Sequence, residues 1–397
     1  MTQQQVKNTI RPFHVNIPEE EIIELRRRIN ATRWPEKETV LDQSQGTQLS
    51  TMQELARYWA TDYDWRKIEK KLNALPHFIT EIDGLDIHFI HVRSKHENAM
   101  PLLVAHGWPG SIIEQMKLIE PLTNPTEYGG SASDAFHLVI PSMPGYGFSG
   151  KPTTTGWDPK HIARAYGELM TRLGYTKYAA QGGDWGAIVV DFMGVQELEG
   201  LIGIHTNMAA VIPPDVDAAI WSGNPLPSGL SDEEKKAAEQ VLENKFAYAS
   251  LMGTRPQTLT GLVDSPVGLA AFMLDHDWKS LALISRSFAG VDEGLTRDDV
   301  LDNITLFWLT NTAVSASRLY WENTVAGISF FGVKGVKIPV AVSVFPDELY
   351  VAPKSWTEKA YPNLIHYNRL PKGGHFAAWE QPEYLISELR TALKTLR

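Results

Sequence analysis

Residues 181–190 read QGGDWGAIVV, and in this stretch Asp184 stands between Gly182 and Gly186. The apolar run YAAQ leads into it and the apolar run AIVVDFM follows, a pattern that predicts a buried strand, a sharp turn and a helix. That context is typical of a nucleophile elbow, in which the attacking side chain is exposed at the tip of a strained turn. The tip is usually a serine, whereas here it is an aspartate. The simpler interpretation is that Asp184 only caps the helix, as Asp commonly does.

A mostly parallel β-sheet is predicted around this turn. Short apolar runs that predict strands lie at residues 101–106, 136–141, 201–205, 338–345 and 364–369. Helical patterns separate several of these runs, and a helix at residues 382–396 closes the chain. Strands that alternate with helices indicate an α/β fold with helices on both faces of a central sheet.

The chain divides into four predicted segments. Residues 1–95 contain two amphipathic helices and a hairpin with Asp83-Gly84 as its turn, and we expect them to wrap the next domain. Residues 96–211 and 326–397 are the two parts of the α/β core. Residues 212–325 are rich in Pro and Gly at first and then helical, which we interpret as a helical lid inserted between two strands. A separate second domain is the alternative.

The composition excludes several classes of function. The net charge is −10 and no dense Lys/Arg block is present, so we expect no nucleic-acid partner. Cysteine is absent, which excludes disulfides and thiolate chemistry. No segment approaches about 18 consecutive apolar residues and the first residues form no signal-peptide pattern. We therefore expect a soluble, cytoplasmic protein without a membrane anchor.

A histidine and two acids follow the elbow in the order that such hydrolases use. His375 lies in the Gly-Gly loop of KGGHFAAWE, after a predicted strand and just before the last helix. In elbow hydrolases the chain order is nucleophile, acid and histidine. The acid should follow the preceding strand, where VFPDEL supplies Asp347 and Glu348. Because these two carboxylates are adjacent, the residues alone leave the choice between them open.

Two tryptophan backbone amides are candidates for an oxyanion hole. Trp108 lies in AHGWPGS, directly after the first core strand, where such folds place one N–H donor. The other donor is the N–H of the residue after the nucleophile, here Trp185. Plain packing is the alternative role for Trp108.

No cofactor or metal site is predicted. Residues 145–150 read GYGFSG and satisfy G-x-G-x-x-G, but Pro152 and its neighbours delay the helix that a dinucleotide site would need. Asp275, His276 and Asp277 are consecutive, and we interpret them as a solvated turn of the lid rather than a metal site.

Over nearly its whole length, the chain resembles the epoxide hydrolases of the microsomal type within the α/β-hydrolase superfamily. The matching motifs occur in order at compatible spacing: HGWPGS, PSMPGYGFS, GGDWG, DSPVGLAA, RLYWEN, FPDEL and GGHFAAWE. The resemblance implies the α/β-hydrolase fold. The membrane-bound mammalian members carry a hydrophobic N-terminal anchor, which we expect this chain to lack. The family also suggests a homodimer.

The same resemblance implies roles for five side chains. The nucleophile matches Asp184 and the base matches His375. The acid falls on the fourth residue of F-P-x-[DE], which is Glu348. Two lid tyrosines that bind the epoxide oxygen match Tyr320 and, more weakly, Tyr248.

A carboxylate nucleophile is suited to epoxide opening. A serine attacking an epoxide carbon would form an ether, whereas a carboxylate forms an ester that activated water can cleave. We therefore expect an enzyme that converts a small-molecule epoxide and water to a vicinal diol. A haloalkane-type dehalogenase shares the aspartate, histidine and acid and is the alternative. A non-catalytic α/β-hydrolase is the third hypothesis, and the intact set of active-site residues argues against it.

Overall fold

One nine-stranded sheet organises the protein, whose computed structural model describes residues 9–244 and 246–397. Its strands are β1 (Arg11–Phe13), β2 (His77–Ile82), β3 (Leu85–Val92), β4 (Met100–Ala105), β5 (Phe136–Pro141), β6 (Tyr178–Gly182), β7 (Leu201–Thr206), β8 (Val340–Val344) and β9 (Leu364–Arg369). They are ordered β1-β2-β3-β5-β4-β6-β7-β8-β9. The first three strands and the β3–β5 pair are antiparallel, and every pair from β5 to β9 is parallel. The mostly parallel sheet predicted from sequence is confirmed.

Helices cover the sheet and fill the long connection between β7 and β8. The first group comprises α1 (Glu19–Asn30), α2 (Leu49–Thr61), α3 (Trp65–Asn73), α4 (Met116–Thr123), α5 (Pro159–Arg172) and α6 (Trp185–Val195). Between β7 and β8 lie α7 (Pro214–Ser222), α8 (Asp232–Asn244), α9 (Ala247–Thr254), α10 (Pro266–Leu274), α11 (Trp278–Phe288), α12 (Arg297–Leu309) and α13 (Ala313–Val325). The last are α14 (Lys354–Ala360), α15 (Ala377–Glu380) and α16 (Pro382–Ala392).

The hairpin β2–β3 forms around the predicted turn. Asp83 and Gly84 both have positive φ, at 51° and 81°, which is the conformation of a type I′ turn. The register pairs Ile82 with Leu85 and extends the sheet on its antiparallel side.

The N-terminal helices pack against the inserted helices. Trp59 donates its indole N–H to Thr305 Oγ1 at 2.9 Å, and the Tyr63 hydroxyl donates to Asp302 Oδ1 at 2.8 Å. These contacts join α2 and the loop after it to α12. The N-terminal segment therefore holds the inserted helices in place as well as extending the sheet.

The helix after the elbow is enclosed by the core. Every residue of α6 from Trp185 to Gly194 is buried. Its buried Asp191 accepts hydrogen bonds from the Tyr361 hydroxyl at 3.1 Å, which satisfies a carboxylate that burial would otherwise destabilise. Because α6 is held in this way, it supports the turn that precedes it rigidly. Among the described residues, none of the helices has the length and apolar character needed to cross a membrane.

Candidate active site

Asp184 occupies the turn between β6 and α6 in a conformation that non-glycine residues rarely adopt. Its φ is 49° and its ψ is −127°. A Cβ at Gly186 would lie 2.1 Å from the carbonyl oxygen of Ala105, so the glycine lets helix and neighbouring strand approach. Asp184 stands at the N-cap position, yet its side chain makes no capping hydrogen bond to the described helix residues. The carboxylate points instead toward the loop after β4.

A backbone N–H group binds one oxygen of this carboxylate. Trp108 N donates to Asp184 Oδ1 at 2.7 Å, and the backbone N–H of Trp185 helps to lower the pKa of this carboxyl. A Cβ at Gly107 would lie 2.2 Å from Asp184 Oδ1, so the loop approaches this closely only because residue 107 is glycine. Of the two amides predicted for the oxyanion hole, that of Trp108 donates to Asp184, and that of Trp185 follows Asp184 directly in the chain.

His375 lies between Asp184 and Glu348, on the loop after β9. Its Nε2 is 3.5 Å from Asp184 Oδ2, and its Nδ1 is 2.5 Å from Glu348 Oε1. All three side chains are buried. Because β6, β8 and β9 are parallel, the loops after them meet at one edge of the sheet, which brings together residues far apart in sequence.

The charges of these groups shift one another's pKa. Burial raises the pKa of Asp184, but the hydrogen bond and charge of His375 outweigh it, and the net pKa is below the usual value. Burial lowers the pKa of His375, but the Glu348 charge and the hydrogen bonds to Asp184 and Glu348 raise it well above its usual range. The free site therefore favours a carboxylate beside an imidazolium.

The two adjacent acids point in different directions. Glu348 is 2% exposed, and its Oε1 accepts hydrogen bonds from His375 and from the Leu349 amide. The Asp347 side chain is 58% exposed, and its Oδ1 lies 3.5 Å from Lys279 Nζ. Of the two acids that the sequence left open, the structure brings Glu348 to His375.

Tyr248 and Tyr320 come from the inserted helices and face the same site. The Tyr248 ring stacks on Trp108 at 4.9 Å, and the Tyr320 ring packs edge-on against Trp185 at 4.7 Å between ring centroids. Burial, together with the charge of Asp184, raises the pKa of both hydroxyls well above the usual value. Both phenols therefore keep their protons and can donate hydrogen bonds at neutral pH.

These side chains line a cavity of about 640 Å³. Asp184 lies in its wall, and much of the remaining wall is aromatic: Trp185, Trp221, Phe246, Tyr248, Tyr320, Phe330 and Phe331. A mostly apolar cavity with few convergent polar groups is typical of a small-molecule site.

His276 and Asp277 are buried, so the prediction of a solvated turn is wrong for them. They are 2% and 7% exposed, and only Asp275 of the three is exposed. The loop between α10 and α11 places the His276 ring 4.4 Å from that of His375. One ring nitrogen from each of these histidines and one Asp184 oxygen lie within 4.8 Å of one another. Among the described residues, this is the group that could hold a metal ion.

Glu380 is a further residue that the sequence analysis did not assign. Its Oε1 accepts from Phe376 N and its Oε2 from Gly374 N, each at 3.0 Å. These are the amides on either side of His375, so Glu380 fixes the loop that carries the imidazole. Its position in GGHFAAWE, five residues after His375, was the available signal.

Known proteins resemble the chain over nearly its full length. Residues 10–115 match the family described as epoxide hydrolase N terminus, and residues 100–193 match the alpha/beta hydrolase fold family. A putative epoxide hydrolase of Stigmatella aurantiaca is 48% identical over 98% of this chain and 86% of its own length. Epoxide hydrolase 1 of Oryctolagus cuniculus is 35% identical over 96% of this chain and 88% of its own length.

Solved structures give the same result. The juvenile hormone epoxide hydrolase of the silkworm Bombyx mori superposes with a TM-score of 0.87 at 31% identity, covering 100% of this chain and 96% of that one. The Aspergillus niger epoxide hydrolase superposes with a TM-score of 0.82 at 29% identity, covering 99% and 98%. Full-length similarity in both sequence and fold shows that the chain is a hydrolase of the α/β-hydrolase fold and belongs to the epoxide hydrolase family.

Proposed function

We propose that the protein hydrolyses an apolar epoxide to a vicinal diol through a covalent ester on Asp184. The observation that supports this most directly is the placement of the carboxylate. Trp108 N contacts its Oδ1, His375 approaches its Oδ2, and Tyr248 and Tyr320 line the same cavity. A nucleophile, a base and proton donors for the departing oxygen are thus all present.

In the first step, Asp184 opens the epoxide ring. Oδ2 attacks an epoxide carbon, a bond forms between them, and the bond from that carbon to the epoxide oxygen breaks. Negative charge develops on this oxygen, where the hydroxyls of Tyr248 and Tyr320 donate hydrogen bonds and a proton. The ester that results has lost the negative charge of Asp184.

Loss of that charge prepares the second step. The Asp184 carboxylate helps to raise the pKa of His375, so ester formation lowers this pKa. The imidazolium proton then passes to the tyrosinate that protonated the epoxide oxygen, which leaves His375 as the neutral base. Neutral His375, oriented by Glu348, takes a proton from water, and the water oxygen attacks Cγ of Asp184. Trp108 N and Trp185 N stabilise the charge on Oδ1, a role in which one donor is typically worth about 3 kcal/mol. The bond from Cγ to Oδ2 then breaks, Oδ2 takes a proton from the His375 imidazolium, and the diol leaves with Oδ2. The proton of the new carboxyl group on Asp184 moves to His375, which restores the carboxylate and the imidazolium.

The inserted segment has a defined part in this proposal. We assign residues 212–325 as the lid, since α9 and α13 supply Tyr248 and Tyr320 opposite the nucleophile. Residues 96–211 and 326–397 then supply the core loops with Asp184, Glu348 and His375. A haloalkane-type dehalogenase is not favoured, because halide departure needs no proton donor and the relatives above are epoxide hydrolases.

Isotope transfer in a single turnover tests the ester. Enzyme in excess over an aryl epoxide is mixed in ¹⁸O-labelled water, and the first diol is analysed by mass spectrometry. The proposal predicts that this first diol carries an unlabelled oxygen from Asp184, whereas diol from many turnovers carries label. Label in the first diol would show direct attack by water and refute the covalent route. Asp184→Asn serves as the inactive control.

A further inference from the structure

A second histidine–carboxylate pair lies beside His375. His276 Nδ1 is 2.9 Å from Asp277 Oδ2, and the pair is buried. Asp277 is itself fixed, because its Oδ1 accepts the Ser280 amide at 2.8 Å as the N-cap of α11. The hydrogen bonds from His276 and from the Ser280 amide help to outweigh burial and lower the pKa of Asp277 to about 2, so it is ionised. The pair therefore repeats the arrangement of His375 with Glu348.

The free nitrogen of His276 is an acceptor. A carboxylate only accepts hydrogen bonds, so Nδ1 carries the proton that faces Asp277, and in the neutral ring Nε2 has the lone pair. Nε2 is buried and has no hydrogen-bond partner among the described residues. Leaving a buried acceptor without a partner is costly, and such atoms are rare in folded proteins. The acceptor of His276 is therefore available to a molecule that enters the site.

The spacing of the site fits one water molecule. Partners of a tetrahedrally hydrogen-bonded water lie about 4.6 Å apart when each hydrogen bond is about 2.8 Å long. The nitrogens of His276 and His375 and the Asp184 oxygen all lie within 4.8 Å of one another, with 3.5 Å between His375 Nε2 and Asp184 Oδ2, so one water can reach both histidines beside Asp184. Because Nδ1 of each histidine already faces a carboxylate, Nε2 is the nitrogen that is free to contact the water.

We propose that His276 binds the hydrolytic water of the second step, an inference that rests on the proposed ester mechanism. One O–H of the water donates to His276 Nε2 and stays intact. The other O–H breaks as its proton moves to His375 Nε2, and the oxygen lone pair forms the bond to Cγ of Asp184. Holding both hydrogens in this way directs an oxygen lone pair at the ester carbonyl.

A role in packing alone is the competing explanation for any effect of substituting His276. Its ring also lies 5.1 Å from Tyr248 and 5.6 Å from Phe376, so removing it could disturb the site without any role for Nε2. His276→Phe keeps an aromatic ring but removes the acceptor, and His276→Gln restores a side-chain oxygen. Tyr166→Phe is a matched control, since it removes another buried, unpartnered polar atom on α5.

The test separates ester formation from ester hydrolysis. Each variant is mixed rapidly with excess aryl epoxide, quenched, and the alkylated Asp184 peptide is quantified by mass spectrometry. We expect His276→Phe to slow ester hydrolysis by about 10- to 100-fold, as for loss of one hydrogen bond to a buried reacting group. Ester formation should stay within about twofold, so kcat falls while kcat/KM is kept. His276→Gln should recover much of the loss, and Tyr166→Phe should change neither step.

Three outcomes would overturn the role of His276: hydrolysis at the wild-type rate in His276→Phe, equal slowing of both steps, or equal loss in the Phe and Gln variants. The last two would assign the effect to packing. Failure of wild-type protein to form any ester would instead refute the proposed mechanism itself. Thermal unfolding of each variant checks that it is folded.

Discussion

Glu348→Gln should separate the two steps of the reaction. The amide keeps an oxygen that can accept the Nδ1–H of His375 but removes the negative charge beside it. The nearest atoms of the two groups are 2.5 Å apart and both side chains are buried. With about 4 Å between charge centres and an effective dielectric constant of about 20, Coulomb's law gives about 4 kcal/mol of stabilisation. Since His375 becomes an imidazolium as water is deprotonated, ester hydrolysis should slow about 10³-fold.

Ester formation should be much less affected, because His375 does not take a proton in that step. In a rapid-quench experiment, Glu348→Gln should therefore accumulate alkylated Asp184 in a burst, followed by slow release of diol. Asp347→Asn is the control on the neighbouring residue, whose exposed carboxylate pairs with Lys279, and it should behave as wild type. Equal loss of ester hydrolysis in both variants, or no accumulated ester in Glu348→Gln, would contradict the assignment of Glu348.

Three further changes test other parts of the site. Tyr320→Phe removes one donor to the epoxide oxygen and should lower the rate of ester formation about 10²-fold without slowing ester hydrolysis; an unchanged kcat/KM would remove Tyr320 from the mechanism. Gly107→Ala places a Cβ 2.2 Å from Asp184 Oδ1, so we expect activity to fall at least about 10²-fold while thermal unfolding shows a folded protein; near-normal activity would show that the loop can move away. Burial raises the pKa of Glu114 from 4.5 to about 8. The neutral carboxyl therefore stabilises the folded protein fully below pH 4.5, and this contribution is lost as the pH rises through about 8. Glu114→Gln should therefore flatten the fall in the unfolding midpoint between pH 4.5 and about 8, and parallel curves for variant and wild type would refute this.

Local sequence patterns predicted the central sheet well because its strands are apolar and bounded by turn residues. Strand β5 matches the predicted run 136–141, and β8 is shorter than the predicted run 338–345. At the start of that run, the carbonyl oxygen of Pro339 accepts a hydrogen bond from the Ile204 amide, but regular strand pairing begins only at the next residue. Strand β1 and helix α2 were not predicted. With three residues, β1 is too short to show an alternating pattern, and its pairing with β2 depends on a distant segment.

The sequence alone could not decide whether Asp347 or Glu348 contacts the catalytic histidine. Both are acids in the same loop after β8, and sequence spacing places either one near the histidine. Their side chains diverge because the loop pairs the Asp347 backbone with Gly373, the amide of Asp347 donating to the Gly373 oxygen at 3.0 Å. This pairing fixes the loop against the segment that contains His375. Only the folded backbone determines which acid points inward.

The contact between His276 and His375 could not be predicted from sequence either, because the two residues are far apart in the chain. Three consecutive polar residues between two helices resemble a solvated turn, and nothing local indicates that residue 276 contacts residue 375. The contact arises because the inserted helices pack over the edge of the sheet. The same packing positions Tyr248 and Tyr320, so the inserted segment supplies side chains to both proposed steps, the tyrosines to ring opening and His276 to ester hydrolysis. Changes that displace the helices as a unit should then slow both steps together, whereas single substitutions at these residues should each slow only one.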